Sequence, residues 1–348
     1  MKTIFNILDY GAIGDDFTDN TIAIQKAIDL ASTCQGKVIV PPGIYKTNKL
    51  YIKGKGVTIE GDASWSYRGF GGSVLSLNDE TCDSLIDITG SFGCAIIKLN
   101  LNGCNLGKNI HGIKLEWPKY NGGSEEDTPK IDGCKIANFS GDGIHFNHVW
   151  CFSIRHSMLA YNKGNGLFIN GWDGFILDNW FSYNEGYGIC GGEVVASLSI
   201  TSNRVEWNKL GGFNFPFGDS INITSNFFDR GNYGIELGGE KQVSLVTITS
   251  NIFRRPIEAH LKMINTKNVT VTSNTARVGR NDGGGGILGP NYGFIIKNSD
   301  TCIIKNNTLK EGALKELLVL CDNKDSIIID NIGSITDESF STGSELLN

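Results

Sequence analysis

The sequence predicts an all-β chain wound as a single right-handed, single-stranded parallel β-helix of about ten coils. Three observations predict it. Thr-Ser-Asn recurs at 201–203, 224–226, 249–251 and 272–274, with its asparagines 23, 25 and 23 residues apart. Each copy follows a short alternating apolar run, such as Leu198-Ser199-Ile200 or Val246-Thr247-Ile248. A second marker, glycine followed by an apolar residue, keeps its own phase at Gly112-Ile113, Gly143-Ile144, Gly166-Leu167, Gly188-Ile189, Gly212-Phe213 and Gly234-Ile235. A period near 23 residues built of short strands and no helix is one coil of a β-solenoid. The right hand follows from the strong bias of parallel crossovers.

Phe5 to Tyr10 reads as a strand, and Gly11 to Asp16 as a turn. Thr18 or Asp19 then opens a helix over 19–33, with Ile22, Ile24, Ala27, Ile28 and Ala31 on one face and Gly36 as the stop. It is placed to plug the open end of the solenoid, where unpaired strand edges would otherwise face water. Residues 37–45 resume with a strand and a turn.

Tyr10-Gly11-Ala12-Ile13-Gly14-Asp15-Asp16-Phe17-Thr18-Asp19-Asn20, together with Val40-Pro41-Pro42-Gly43-Ile44-Tyr45, resembles the opening of the pectate-lyase-like superfamily. That superfamily holds polygalacturonase-related hydrolases, inulin fructotransferases, difructose anhydride hydrolases and phage tailspike depolymerases. The resemblance, with the coils behind it, covers residues 3 to 333. It implies a carbohydrate-active enzyme and a homotrimer. It assigns no catalytic group, because the opening aspartates Asp15, Asp16 and Asp19 read as turn and cap residues.

Two loops leave the first coils, at 63–72 and 117–127, and both carry aromatics that could stack on sugars or cover a coil edge. From Ile131 onward the asparagine phase is held by Cys134, Ser157, Asn179, Asn203, Asn226, Asn251, Asn274, Asn307 and Asn331, which predicts an internal ladder of stacked amides. The glycine-rich insertion 278–290 lacks the Lys-Ser/Thr and the following helix of a phosphate loop. The β-helix domain is therefore 1–333, and 334–348 is a polar tail.

A net charge of -6 and a pI near 5.5 argue against nucleic acid. No apolar run is long enough for a membrane span or a signal peptide, so a cytoplasmic location is expected, with secretion or virion association by another route as the alternative. Nine scattered cysteines without a C-x-x-C pair read as buried thiols in a reducing compartment, with no zinc site and no cofactor.

Equivalent positions on successive coils become neighbours about 4.8 Å apart. Three residues after the asparagine phase the outward series is Ala137, Ala160, Ser182, Glu206, Asp229 and Arg254. Glu206 and Asp229 are thus adjacent carboxylates, the minimum for acid/base cleavage of a glycosidic bond. One position later stand Asn138, Tyr161, Tyr183, Trp207, Arg230 and Arg255. These residues predict Glu206 and Asp229 as the catalytic pair of a glycoside hydrolase or fructosyl transferase, with Arg204, Trp207, Arg230, Arg254, Tyr183 and Glu236 contacting an oligo- or polysaccharide. A solvated salt-bridge ladder is the competing reading of the same column.

A second outward column after the glycine marker runs Lys114, His145, Phe168, Cys190, Asn214 and Glu236, a candidate opposite wall with Glu193 and Glu236 as reserve acids. His145 and His148 lack a third metal ligand, and Asp142, Asp173 and Asp178 read as turn caps. A polysaccharide lyase or uronate epimerase, and a non-catalytic glycan-binding solenoid, are the other functions the sequence allows.

Overall fold

A computed structural model of the protein describes residues 3–62, 66–119, 125–279 and 289–336. Parts of the two expected loops (63–65 and 120–124), most of the glycine-rich insertion and the tail from 337 lie outside them. The chain winds about twelve turns of parallel β-solenoid, rather than ten, and forms two compact units, Met1–Glu185 and Gly186–Asn348.

In the first unit every strand pairing is parallel, and one register repeats from turn to turn. Ile113 pairs with Ile144 and Ile144 with Leu167 on one face, while Leu101, Ile136, Leu159 and Phe181 follow one another on another. All seven of these side chains are buried. The second unit repeats the plan: Phe213, Ile235, Leu261 and Phe294 form one inward column, and Phe228, Phe253 and Ala276 another. Phe228 and Phe253 stack with centroids 4.9 Å apart. Each turn thus supplies apolar contacts to its two neighbours, which is where a solenoid derives its stability.

The two sequence markers have separate physical causes. In the second unit Asn203, Asn226, Asn251, Asn274, Asn307 and Asn331 form a continuous ladder. Each Nδ2 donates to the Oδ1 of the next asparagine at 2.9–3.1 Å, and that Oδ1 also accepts the backbone N–H of the residue before it in the ladder. In the first unit the Cys134 N–H is taken by Ser157 Oγ and the Ser157 N–H by Asn179 Oδ1. A second ladder, Phe139 N–H to Asn162 Oδ1 and Asn162 to Asn184 Oδ1, serves another corner. The glycines are needed for close approach. A Cβ at Gly212 would lie 2.3 Å from the Gly234 carbonyl oxygen, and one at Gly234 would lie 2.5 Å from that of His260.

The helix spans Thr21–Ser32 and packs against the strands Ile4–Asn6, Lys37–Ile39 and Leu50–Tyr51. Ile24, Ala27, Ile28 and Ala31 are its buried face, but Ile22 is 84% exposed and belongs to the solvent side. The Asp19 carboxylate accepts the Thr21 N–H at 2.9 Å, so the cap comes from the position before the Asn20 boundary. Asn20 instead pins the preceding turn, accepting from the Ile13 N–H at 2.6 Å and donating to the Thr18 carbonyl at 2.7 Å. The opening motif is therefore built for turn and cap work. None of the nine cysteines is in a disulfide. Only Cys94, Cys134 and Cys302 are buried, and Cys321 is exposed, so burial does not account for the set. No described helix is long and apolar enough to cross a membrane.

Candidate functional site

The outward face of the first unit gathers a titratable cluster. Lys114, in the strand His111–Glu116, is the Cα partner of Asp87 on one side and of His145 on the other. His145 is in turn the partner of Phe168. The same local pattern is used twice: His111-Gly112-Ile113-Lys114 is followed one turn later by Asp142-Gly143-Ile144-His145, so His111 and Asp142 share a phase. The glycine lets the backbones close up, and the residues either side of the buried Ile turn outward.

Asp142 is the centre of the cluster. Its Oδ2 accepts the Nδ1 proton of His145 at 2.8 Å, while Oδ1 accepts the Asn165 N–H at 2.7 Å and Asn165 Nδ2 at 2.9 Å. Burial opposes its ionisation, but the His145 hydrogen bond, the His111 ring and the Asn165 N–H together hold it below the usual carboxylate range. With Nδ1 of His145 fixed on the carboxylate, Nε2 is the basic atom of that ring. The ring is held flat between His111, 4.2 Å away, and Phe168, stacked at 4.7 Å.

His111 plays a different part. Its Nδ1 accepts the backbone N–H of Asp142 at 2.9 Å, which places the proton on Nε2. Burial, then the neighbouring His145, push its pKa down to about 4, so its 3.4 Å approach to the Asp142 carboxylate is not an ion pair at neutral pH.

Beside the imidazoles lies a set of cations. Lys49 Nζ sits 2.6 Å from Asp83 and 2.8 Å from Asp87, and Lys114 Nζ sits 3.1 Å from Asp83 and also bonds Glu116. Burial would lower the Lys114 pKa, but its bonds to Glu116 and Asp83 outweigh that and raise it. Lys49 is raised in the same way by Asp83 and Asp87. Both are firm ammonium ions. His111, Asp142 and His145 also offer ligand atoms within 4.8 Å of one another, a set able to hold a divalent ion if Asp142 released His145.

The sequence-predicted pair lies in the second unit, at the ends of the strands Arg204–Glu206 and Phe227–Asp229. Glu206 and Asp229 are Cα partners there, and Asp229 is followed by Arg254 and then Arg277. The carboxylates are not open to solvent: Glu206 is 5% and Asp229 3% exposed. Arg204 Nε donates to Glu206 at 2.8 Å, and Arg255 grips both oxygens of Asp229, with Nε at 2.7 Å and Nη2 closer still. The Arg204 guanidinium lies over Phe227 at 4.6 Å, and that of Arg230 over Trp207 at 4.8 Å. Tyr183, in the first unit, stacks on Tyr161 at 5.2 Å beneath Tyr67 of the first loop. Glu236 accepts from Tyr187 Oη at 2.9 Å and from Lys262 Nζ at 3.1 Å, while Glu193 is exposed. His148 does not share a site with His145, because the register shifts after Asn147 and its ring bonds the Trp117 carbonyl.

The residues that sequence reasoning missed are His111 and Asp142. Their signal was present in the glycine marker, one position upstream of it on adjacent turns.

The model of the family described as rhamnogalacturonase A/epimerase, pectate lyase-like, matches residues 4–210, and that of the right-handed β-helix region matches 194–334. The chain belongs to the pectate lyase-like family. Among the relatives of this pectate lyase-like chain is the mannuronan C5-epimerase AlgE1 of Azotobacter vinelandii, 25% identical over 255 residues, which are 67% of this chain and 18% of that protein. The exo-poly-α-D-galacturonosidase of Dickeya chrysanthemi is 51% identical over 54 residues, covering 15% of this chain and 9% of that one. The chain spans about a fifth of the length of the first mannuronan epimerases it matches. Among solved structures, the A-module of the A. vinelandii mannuronan C5-epimerase AlgE6 superposes with a TM-score of 0.70 over 95% of this chain and 100% of that one, at 16% identity. That likeness concerns the fold.

Proposed function

We propose that the protein is a carbohydrate-active enzyme acting on a polyuronate by removing the proton at C5 of a uronic acid residue, as a C5-epimerase. The observation that carries this reading is the Asp142–His145 pair standing directly beside Lys114. A C5 proton lies α to a carboxylate, so its removal needs a base and a nearby cation to stabilise the enolate that forms. His145 Nε2, oriented through Nδ1 by Asp142, is the base. Lys114, and behind it Lys49, supply the positive charge, and their raised pKa values keep them charged while the base works. Returning a proton to the opposite face of C5 gives the epimer, whereas loss of the C4 substituent would give an unsaturated product. The mannuronan C5-epimerase relatives favour the former.

The experiment is incubation with polymannuronate, polyguluronate and polygalacturonate, reading epimer composition by proton NMR and unsaturated ends by ultraviolet absorbance. Epimer without unsaturation supports the reading; absence of either product from all three polymers contradicts it.

A second reading, glycoside hydrolysis by Glu206 and Asp229, is favoured by their adjacency in the ladder. It would require the carboxylates to escape Arg204 and Arg255. New reducing ends, abolished by Glu206→Gln and Asp229→Asn, would support it.

A further inference from the structure

Six of the eight arginines of the chain fall within residues 204–280, although the protein as a whole is acidic. Five of them, Arg204, Arg230, Arg254, Arg255 and Arg277, stand on or just after the short strands Arg204–Glu206, Phe227–Asp229, Ile252–Arg254 and Thr275–Arg277 of the second unit. Arg254 and Arg277 are Cα partners on adjacent turns. From Arg204 to Arg277 the acids on these strands and corners are Glu206 and Asp229, so this stretch carries three more positive than negative charges (five arginines less two acids), and the next turn adds Lys310 and Glu311, one of each sign.

The backbone adds an independent observation. Trp207, Arg230 and Arg255 occupy the same corner on successive turns, with φ of +61°, +72° and +53°. Left-handed backbone costs a bulky residue about 1–2 kcal/mol, and asparagine tolerates it better. In the first unit Asn138, Tyr161 and Tyr183 fill the corresponding corner at φ +63°, +59° and +54°, so the left-handed backbone belongs to the corner itself, and what changes along it is the side chain it presents. The corner residues are also stiffened: Arg255 is buried against Asp229, and Arg230 lies over the Trp207 ring.

We propose that this arginine strip is a non-catalytic binding surface for an anionic polysaccharide, separate from the proton-abstraction cluster on the first unit. Guanidinium forks recognise carboxylates through paired hydrogen bonds. Cations that recur at the turn spacing of about 4.8 Å match a polymer whose negative charge also recurs, better than they match a single anion. Arg204, Arg254 and Arg277 supply the reach, while Arg255 and Trp207 hold the frame.

The test is affinity electrophoresis of the full chain in gels containing polymannuronate, polygalacturonate or neutral dextran. The wild type and three variants are compared: Arg277→Gln, Arg254→Gln/Arg277→Gln and His145→Gln. Retardation by the polyuronates but not by dextran is expected, with affinity at least about tenfold weaker in the double variant and measurably weaker in Arg277→Gln, whose side chain is exposed. A loss of retardation in His145→Gln as large as that in the double variant would place the binding at the proton-abstraction cluster and overturn the proposal. Equal retardation by dextran, or unchanged affinity in both arginine variants, overturns the proposal. Arginine-dependent retardation without any turnover sinks the epimerase reading alone; turnover with arginine-independent retardation sinks this one alone.

Discussion

Asp142 and His145 sit three residues apart on either side of Gly143 and Ile144, and the Asp142 carboxylate accepts the His145 Nδ1 proton at 2.8 Å. This bond settles which nitrogen of His145 is basic. Removing the ring in His145→Gln should lower kcat by about 10²–10⁴-fold. Asp142→Asn keeps the shape but offers an amide, and should cost about tenfold or more, because the ring loses the carboxylate that fixes its Nδ1 proton. Steady-state rates on a polyuronate check both.

Lys114→Met removes the cation beside His145 and leaves Asp83 and Glu116 without it. The expected result is a fall in kcat with a smaller change in KM, since the charge it offsets grows only in the transition state. Lys114→Arg should recover part of the rate.

Stability should fall as pH drops below about 6.5. Burial keeps His111 neutral down to about 4 and His260 down to about 3, whereas both protonate near 6.5 when unfolded. The unfolded state then binds more protons in that window, so acidification favours it. His260, fully buried with Nε2–H on the Gly312 carbonyl at 2.9 Å, is the cleaner probe. His260→Gln should be less stable at pH 7, yet lose less on going to pH 5, as read from thermal midpoints.

Lys135 makes the opposite side of the pH scale informative. It is 1% exposed, its ammonium meets the carbonyls of Ser66 at 2.9 Å and Gly69 at 2.6 Å, and burial lowers its pKa to about 8. Between pH 8 and 10.5 the unfolded chain holds the extra proton, so this residue makes stability rise with pH there. Lys135→Met should abolish that rise and loosen the strap of residues 66–70, which limited proteolysis would detect.

The amide ladder predicts a position-dependent cost. Asn251 donates to Asn274 and to the Ile223 carbonyl, and accepts from Asn226 twice, all buried. Asn251→Ala should cost about 2–4 kcal/mol in urea unfolding, by leaving several buried groups unsatisfied. Asn331→Ala, at the half-buried end of the ladder, should cost about 1 kcal/mol.

The coils were legible because a solenoid writes its geometry into a single period. The Asn203 to Asn331 ladder and the Gly112 and Gly143 markers align in the structure as the spacing required. The adjacency of Glu206 and Asp229 was legible for the same reason. Their burial and their arginine partners were not, because spacing places a Cα and says nothing of which side chain folds over it. Asp142 was read as a turn residue, since Asp before Gly is ordinary turn chemistry; only the His111 one turn earlier gives it another meaning. The second ladder through Asn162 and Asn184 escaped notice because its period lacks the flanking Thr-Ser that made the first one visible. Ile22 failed for a simpler reason: a helix laid across a solenoid end buries a narrow stripe, here Ile24, Ala27, Ile28 and Ala31, and Ile22 faces away from it.

The measurement that tests the central claim most directly is deuterium uptake at C5. Polymannuronate is incubated in D2O with wild type and with His145→Gln, and the recovered sugar residues are analysed by mass spectrometry and NMR. The account predicts solvent deuterium at C5 of the epimerised residues with wild type, and background levels with the variant. Deuterium uptake by His145→Gln at the wild-type rate, or a product formed by wild type with no deuterium at C5, would contradict it.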